Sequence, residues 1–428
     1  MKKHYLFTLI FSLIFSFSFS QTTYYVATAA NGGNNSNNGT SEATPKLTLA
    51  AAVSAASSGD TINVGPGTFS TEANIAANKD LTIIGHGRDE TIFDGSSLGV
   101  SDGFMAITAD VTLKNCTIQK YTTTVVASGT NTHNPAGIVI GGARGTSYTT
   151  SSPLTVRIKN VKFYDLSSSA ASGSAYGGAI STVNNYNASN HTIFIEECIF
   201  FDNYTDGWGG AIHFADGTQT RIENSSFMNN HGYSGAGAIF FADYSASSSF
   251  GLLEIYNCTI WSNYTSGAGY TGNYNTGGIS TYTSNGENLY LYIRNSVIVY
   301  NKVAGAGQSG SYYWDVMPYN PDHNGSIHHT FTKTQLYSVY EPWMDSIDSY
   351  SATNELYEGE NTYGALGLTW DDDKRFNFAS TSSSLIGQAD ATYAPSIDIN
   401  GVTRPQGSGD DIGAFEYRNQ WDGSESTD

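Results

Sequence analysis

Residues 195–203 read IEECIFFDN, residues 222–230 read IENSSFMNN, residues 255–263 read IYNCTIWSN and residues 293–301 read IRNSVIVYN. Each copy begins with Ile, has Asn or Glu third, a small residue fourth, an apolar or aromatic residue sixth and Asn ninth. Residues 113–118 and 158–163 share the first six positions. The fourth position recurs after 45, 37, 27, 33 and 38 residues. A constant core with a variable period is typical of a solenoid whose coils differ in their inserted loops.

A glycine-rich element alternates with this pattern. It reads Gly177-Gly178-Ala179-Ile180, Gly209-Gly210-Ala211-Ile212, Gly235-Ala236-Gly237-Ala238-Ile239 and Gly277-Gly278-Ile279, and Gly137-Ile138 is a weaker first copy. The runs are short and rich in Ile, Phe, Thr and Val, which favours strands over helices. Gly and Asn accept the left-handed backbone of a sharp corner. The sequence therefore predicts an all-β fold, a right-handed parallel β-helix of about three short strands per coil.

Composition and charge exclude several classes of protein. The chain has 428 residues, 19 basic and 38 acidic side chains and a net charge of −19. An acidic surface does not suit contacts to nucleic-acid phosphates, so we expect no nucleic-acid partner. Three cysteines cannot form a disulfide framework. Cys116, Cys198 and Cys258 occupy the fourth repeat position, where Val and Ser also occur, so we interpret them as small interior residues.

The chain begins with a segment typical of a secretory signal. Lys2 and Lys3 precede an apolar, Ser-containing run that ends at Ser20. We therefore expect a secreted or cell-surface protein with no membrane span after cleavage. The predicted divisions are a signal peptide (1–20), an N-terminal strand and capping helix (21–60), the β-helix (61–310), an insertion or flanking subdomain (311–384), and a terminal coil with a polar tail (385–428).

The repeat resembles that of the chlamydial polymorphic outer-membrane proteins, whose signature pairs FxxN with GGA followed by Ile, Leu or Val. Phe200 to Asn203 and Phe227 to Asn230 match its first half, and the resemblance spans roughly residues 110–305. It implies a β-helix at a surface or in an adhesive setting. It implies no activity.

Both ends of the chain also resemble secreted β-helix proteins. Arg404-Pro405, followed by residues 411–417 (DIGAFEY), resembles the closing motif of exported β-helix proteins of the choice-of-anchor Q group. At the other end, residues 60–69 (DTINVGPGTF) resemble the opening coil of many secreted bacterial β-helix proteins. Ahead of them, Thr44 and Pro45 predict the N-cap and first position of a short helix. Such a helix covers the open end of a solenoid, with Leu49, Val53 and Ala56 on one face.

Enzyme motifs of β-helix proteins find only weak matches. Gly85-His86-Gly87 and Arg157-Ile158-Lys159 look like polygalacturonase motifs, but their order and wide separation argue against that activity. Candidate catalytic residues are Asp206, His213 and His231, with Asp202 and Asp216 on neighbouring coils. Acidic runs at 371–373 and 410–411 lack a calcium-loop spacing, so we expect no metal or cofactor beyond weakly held Ca²⁺.

Aromatic residues collect in the loops before the glycine-rich strands. Because coils stack, we expect these side chains to form a row that binds a ligand, since aromatic rings stack against sugar faces. The predicted ligand-binding residues are Tyr176, Trp208, Tyr233, Tyr270 and Tyr274.

The function predicted from the sequence is that of an exported β-helix protein. It binds a polysaccharide or a surface protein along an aromatic-lined side, without catalysis. The alternatives are a carbohydrate-active enzyme, either a polysaccharide lyase or a glycoside hydrolase, and a purely structural role.

Overall fold

The computed structural model describes most of the chain from residue 21 onward. The described residues are 21–125, 133–145, 148–149, 152–170, 175–185, 191–215, 217–243, 250–267, 275–283, 288–303, 312–313, 315–319, 326–336, 349–353, 356–357, 368–370, 376–378 and 385–417. The predicted signal peptide lies outside them.

The first part of each coil belongs to a 19-stranded sheet that bends once per coil. The part of this sheet before the bend is called sheet 1 here. Its strands are Thr23–Val26, Thr61–Val64, Leu81–Gly85, Val111–Gln119, Thr155–Tyr164, Thr192–Glu196, Gln219–Glu223, Phe250–Tyr256, Asn288–Arg294, Ser326–Thr332 and Ser349–Thr353. After the bend, in sheet 2, lie Gly67–Phe69, Thr91–Asp94, Ile199–Phe201, Ser226–Met228, Thr259–Trp261, Val297–Val299, Gln335–Leu336 and Leu356–Tyr357. Val111–Gln119 and Thr155–Tyr164 run through both.

Two further sheets complete the coils. Sheet 3 contains Thr122–Val125, Ser167–Ala170, Tyr204–Trp208, His231–Ser234, Tyr264–Thr265, Lys302–Val303 and Tyr312–Tyr313. Sheet 4 contains Ile75–Ala77, Met105–Ile107, Ile138–Ile140, Ile180–Thr182, Ile212–Ala215, Ile239–Asp243, Ile279–Thr283 and Val316–Tyr319. Strands stack in parallel coil on coil, except that Tyr312–Tyr313 pairs antiparallel with Lys302–Val303. The predicted right-handed parallel β-helix is confirmed.

Smaller elements lie outside these sheets. They are the 3₁₀ turn Ala29–Asn31, the helix Leu49–Ala55, the parallel pair Tyr148–Thr149 and Asn184–Asn185, and the antiparallel pair Leu368–Trp370 and Phe376–Phe378. Within the part of the chain that the structure describes, no helix is long and apolar enough to cross a membrane.

Left-handed residues form the corners on both sides of sheet 2. The corner between sheets 1 and 2 uses the third repeat position, with φ between 48° and 61° at Asn115, Asn160, Glu197, Asn224, Asn257 and Asn295. The corner between sheets 2 and 3 uses Lys120, Asp165, Asp202, Asn229, Ser262 and Tyr300, with φ between 53° and 58°. Asn tolerates this backbone better than most residues, which explains its recurrence at the first corner.

A ladder of buried asparagines fixes the second corner. The Nδ2 groups of Asn203, Asn230 and Asn263 each donate to the Oδ1 of the next asparagine, at 2.8, 2.8 and 2.9 Å. Asn301 ends the ladder by donating to Asp315 Oδ1 at 2.8 Å. Each amide also donates to a backbone carbonyl of the previous coil. The ladder thus satisfies buried polar groups that the corner would otherwise leave unpaired.

The core is a stack of like residues. Phe163, Phe200 and Phe227 stack with ring centroids 4.8 and 4.5 Å apart. The three cysteines are buried and unpaired, and burial raises the pKa of the Cys198 thiol to about 12. Their environment fits the interior packing role that the sequence predicted.

The N-terminal helix begins later than the sequence predicted. Its N-cap is Thr48, whose hydroxyl accepts from the Ala51 backbone N–H at 3.2 Å, and not Thr44. Lys46 instead forms a parallel bridge with Val26, so the chain around Pro45 is extended. The face predicted for the helix is correct, because Leu49, Val53 and Ala56 are all buried in the core.

The C-terminal segment, residues 385–417, lies along the side of the solenoid. We expected a terminal coil here, but the segment contains no strand of the four sheets. Its apolar side chains cover the outer face of sheet 2, where Phe201, Met228, Trp261, Val297 and Val299 pack against Leu385, Ile399, Ile412, Ala414 and Phe415. Gly413 N–H donates to the Asn295 carbonyl at 2.8 Å, which ties the segment to a corner. It therefore braces several coils from outside.

The solenoid also continues past residue 310. Ser326–Thr332 pairs in register with Asn288–Arg294, and Ser349–Thr353 pairs with Ser326–Thr332. Inward positions stay apolar at Ile327 and Phe331 although the Asn and Gly signature is absent. Two strands of the segment predicted as an insertion or flanking subdomain, 311–384, thus continue the stack.

Candidate functional site

Three aromatic side chains form a row on the outer face of sheet 3. Tyr204 pairs in register with His231, and His231 with Tyr264. The ring centroids of Tyr204 and His231 are 5.0 Å apart, edge to face, and those of His231 and Tyr264 are 4.0 Å apart and stacked. We call these three residues the aromatic ladder. The outward position of the ladder follows from the alternation of side chains along a strand. Thr205, next to Tyr204 in its strand, is buried, so Tyr204 and the residues in register with it face outward.

Polar groups flank the ladder. His231 Nε2 lies 2.6 Å from Ser266 Oγ. Lys302 is in register with Tyr264 on the next strand. Tyr233, one of the predicted ligand-binding residues, belongs to the same strand face and is 41% exposed, and Tyr264 is 39% exposed. The ladder is thus a partly exposed surface with hydrogen-bonding groups at its edges.

Asp206 stands beside the ladder and accepts two backbone hydrogen bonds. Its carboxylate accepts backbone N–H groups of Ala170 at 2.6 Å and Ala175 at 3.2 Å. Burial raises the pKa of Asp206, and these two hydrogen bonds lower it in part. Burial, and next the charge of Asp206, raises the pKa of Tyr204. Both oxygens of the carboxylate are therefore engaged with backbone, which suits positioning better than proton transfer.

Trp208 and Tyr176 turn away from the ladder towards sheet 4. The two residues form a parallel bridge, and the Trp208 ring lies 4.8 Å from that of Phe240. Tyr176 is only 5% exposed, and its ring lies 4.4 Å from that of His213. The prediction that Tyr176 lines a surface platform is corrected here, because its ring is covered.

His213 lies on the outer face of sheet 4 and is fully buried. Among the residues that the structure describes, neither of its ring nitrogens has a hydrogen-bond partner. Burial, and next the nearby His133, lowers the pKa of His213 well below its usual range. His213 is thus separated from Asp206 and His231, and the three catalytic candidates do not share a site.

The remaining predicted residues either lie outside the described ranges or have structural roles. Tyr270, Tyr274, Asp216 and the run 371–373 lie outside the described residues. Asp202 is a left-handed corner residue with φ 54°. Asp411 uses its carboxylate to accept the N–H groups of Gly387 and Tyr417. Within the described ranges no group of three His, Cys, Asp or Glu side chains could hold a metal ion.

Two ladder residues, Tyr204 and Tyr264, were not among the site residues predicted from the sequence, and a signal for Tyr204 lies in the strand Tyr204–Trp208. The signal was present, because Tyr204, Asp206 and Trp208 alternate with small residues, as in a strand with one exposed face. We had read this stretch as a loop, so the alternation was not used.

Comparison with a family of known proteins supports the repeat. The Chlamydia polymorphic membrane protein repeat matches residues 197–215, which confirms that resemblance for one coil. The choice-of-anchor resemblance stays a prediction. No relative among the curated proteins matches the chain.

Three similar solved structures have low sequence identity. Pectate lyase Pel9A is 18% identical, covering 93% of this chain and 97% of its own, with a TM-score of 0.42. A rhamnogalacturonan lyase is 15% identical, covering 87% and 97%, with a TM-score of 0.41. Pectin methylesterase from carrot is 12% identical, covering 80% and 84%, with a TM-score of 0.31. At these values the likeness says nothing about activity.

Proposed function

We propose that this chain is an exported, non-catalytic protein that binds a neutral polysaccharide along the aromatic ladder. The observation that carries the proposal is the in-register, partly exposed row of Tyr204, His231 and Tyr264. Ring faces stack on the apolar faces of pyranose rings, while flanking hydroxyls, amides and carboxylates bind sugar hydroxyls. The export signal lies outside the described residues and is part of the proposal.

Charge favours a neutral polymer. The chain has a net charge of −19, and Asp206 lies next to the ladder. A polyanion would be repelled by this field, whereas a neutral polysaccharide would not. The geometry argues against catalysis at this surface, because Asp206 is hydrogen-bonded to backbone and His213 is buried elsewhere.

The experiment is affinity electrophoresis of purified residues 21–428. The neutral probes are hydroxyethylcellulose, arabinoxylan and galactomannan, and the anionic probes are pectate and alginate, each with and without Ca²⁺. We expect retardation by at least one neutral probe and no product. Tyr264→Ala should weaken binding at the aromatic ladder about tenfold, the equivalent of about 1.4 kcal/mol for one stacked ring, and should thereby reduce the retardation.

Val100→Ala is the matched control, because Val100 is an exposed apolar residue, 59% exposed, on an early coil. It should bind as the unaltered protein does. Unsaturated product or new reducing ends would replace the binding proposal with an enzyme. Unchanged binding in Tyr264→Ala would remove the ladder from the proposal.

A further inference from the structure

A second row of aromatic rings lies on the outer face of sheet 1, two corners away from the aromatic ladder. Tyr290 pairs in register with His328, and their rings stack with centroids 4.7 Å apart and planes 17° apart. Phe250 lies one strand earlier, its ring 5.8 Å from that of Tyr290 and edge to face. Phe250 is 42% exposed. We call Phe250, Tyr290 and His328 the second ladder.

The core does not require these side chains. Along Phe250–Tyr256 and Asn288–Arg294 the inward positions, such as Leu253, Leu289 and Leu291, are fully buried, while the second ladder faces out. Leu252 and Tyr292 widen the same face and are half-buried. Polar outward residues would satisfy the sheet equally well, and a contiguous exposed apolar face commonly marks an interaction site.

The second ladder matches the first in its chemistry. Each has three in-register or adjacent rings, one of them an imidazole stacked on a tyrosine. Each has a carboxylate nearby, Asp206 in one case and Glu254 in the other, where Glu254 accepts from the Tyr256 hydroxyl at 2.6 Å. The same class of ligand, a neutral polymer of pyranose rings, therefore fits both surfaces.

We infer that the second ladder is a separate polysaccharide-binding face, so that one molecule holds two polymer chains. This rests on the proposed function for the choice of ligand. Sheets 1 and 3 both turn their inner faces to one core and are separated by two left-handed corners in each coil. A polymer lying flat on one face cannot lie flat on the other, and the protein thereby cross-links its ligand.

A bridging assay tests this inference. Protein is bound to insoluble arabinoxylan, washed, and offered fluorescent soluble arabinoxylan, and the captured fluorescence is compared with the amount of protein bound. Four proteins are compared: the unaltered chain, Tyr264→Ala, the double variant Phe250→Ser with Tyr290→Ser, and the combination of all three changes. Tyr290→Phe keeps the ring and serves as the conservative control, and Val100→Ala controls for lost apolar surface.

We expect the unaltered chain, Tyr290→Phe and Val100→Ala to bind and bridge. Tyr264→Ala and the double variant should each still bind but lose at least five-sixths of the captured fluorescence, and the combination should not bind. Bridging that persists in the double variant overturns the second face and leaves the proposed function intact. Binding that is lost only in the double variant, with Tyr264→Ala unaffected, overturns the first ladder instead. Circular dichroism melting of each variant separates misfolding from these outcomes.

Discussion

The imidazole of His213 lies against the phenol ring of Tyr176, with ring centroids 4.4 Å apart and planes 29° apart. His213 projects from the outer face of sheet 4, yet it is fully buried because Tyr176 and Phe240 cover it. At this position a second layer of side chains therefore covers the outer face of sheet 4. The cost is a buried imidazole whose nitrogens lack hydrogen bonds among the described residues.

Acid should therefore destabilise the protein. Burial lowers the pKa of His213 well below its usual range, that of His191 to about 4 and that of His329 to about 3. These groups stay neutral in the folded state while they protonate in the unfolded state near pH 6.5. Their contribution to stability is complete above about pH 6.5, and it falls by about 1.4 kcal/mol per pH unit for each group below that.

The measurement is urea unfolding between pH 7.5 and pH 5. His213→Phe fills the same aromatic environment without a titrating group, so its stability should fall less steeply with acid than that of the unaltered chain. Equal slopes for the two proteins would show that His213 does not contribute to the acid sensitivity.

Removing one rung of the asparagine ladder should be costly. Asn230 accepts from the N–H and Nδ2 of Asn203, and its own Nδ2 donates to Phe200 O and Asn263 Oδ1. Asn230→Ala leaves several buried groups unpaired, and we expect a loss of about 3 kcal/mol in the free energy of unfolding. Asn288→Ala, at an exposed strand position, is the control and should change stability by less than about 0.5 kcal/mol. Similar melting temperatures for both variants would contradict the role of the ladder.

A glycine at a left-handed corner should stabilise the chain. Ser262 has φ 56°, a conformation that costs an L-residue about 1 kcal/mol and costs Gly nothing. Gly also adds entropy to the unfolded chain, which offsets part of this gain, so Ser262→Gly should raise the melting temperature by about 1 °C. Thr259→Gly, at the start of the strand before this corner, should lower it, because Gly weakens a strand and because the Ala414 N–H loses the hydroxyl to which it donates at 3.1 Å. The opposite order would refute the argument from backbone conformation.

The attachment of the C-terminal segment, residues 385–417, to the side of the solenoid should depend on one buried ion pair. Arg404 donates to Glu416 Oε2 at 3.2 Å and to the carbonyls of Asp411 and Gly413 at 2.8 and 2.9 Å. Arg404→Met leaves a buried carboxylate without its partner, which costs about 3–5 kcal/mol. We expect residues 385–417 to become sensitive to protease while the coils stay resistant. Gln406→Ala, at an exposed position, should cleave like the unaltered chain, and resistance in Arg404→Met would refute the role of the pair.

The fold could be predicted from the sequence because the central coils need the same residue types at the same positions. A corner needs a left-handed residue and buried backbone needs a partner, so Asn recurs at fixed offsets, as at Asn224 and Asn230. Where a coil lacks these asparagines, the sequence no longer identified it as part of the β-helix. Ser326–Thr332 keeps only the inward apolar register, and we placed it in an insertion.

The site was harder to predict because aromatic residues look alike in a sequence. Tyr176 and Tyr233 precede glycine-rich strands at similar positions, yet one is covered and the other is exposed. The difference depends on whether neighbouring loops fold over the sheet, which the spacing of residues does not encode. The second ladder was missed for a related reason, since Tyr290 lies before the repeat at 293–301 and His328 lies in the predicted insertion or flanking subdomain, 311–384.

In-register stacking has a consequence for how such a protein could evolve. The coil from Cys198 to Ser225, 27 residues long, contains both corners and a strand in each sheet. Duplicating one such unit would lengthen the molecule by one strand spacing, roughly 4.8 Å, and leave its neighbours' chemistry unchanged. The length of each binding row therefore changes in steps of one coil. Selection can adjust that length by duplicating or deleting a coil, without any new kind of contact between coils.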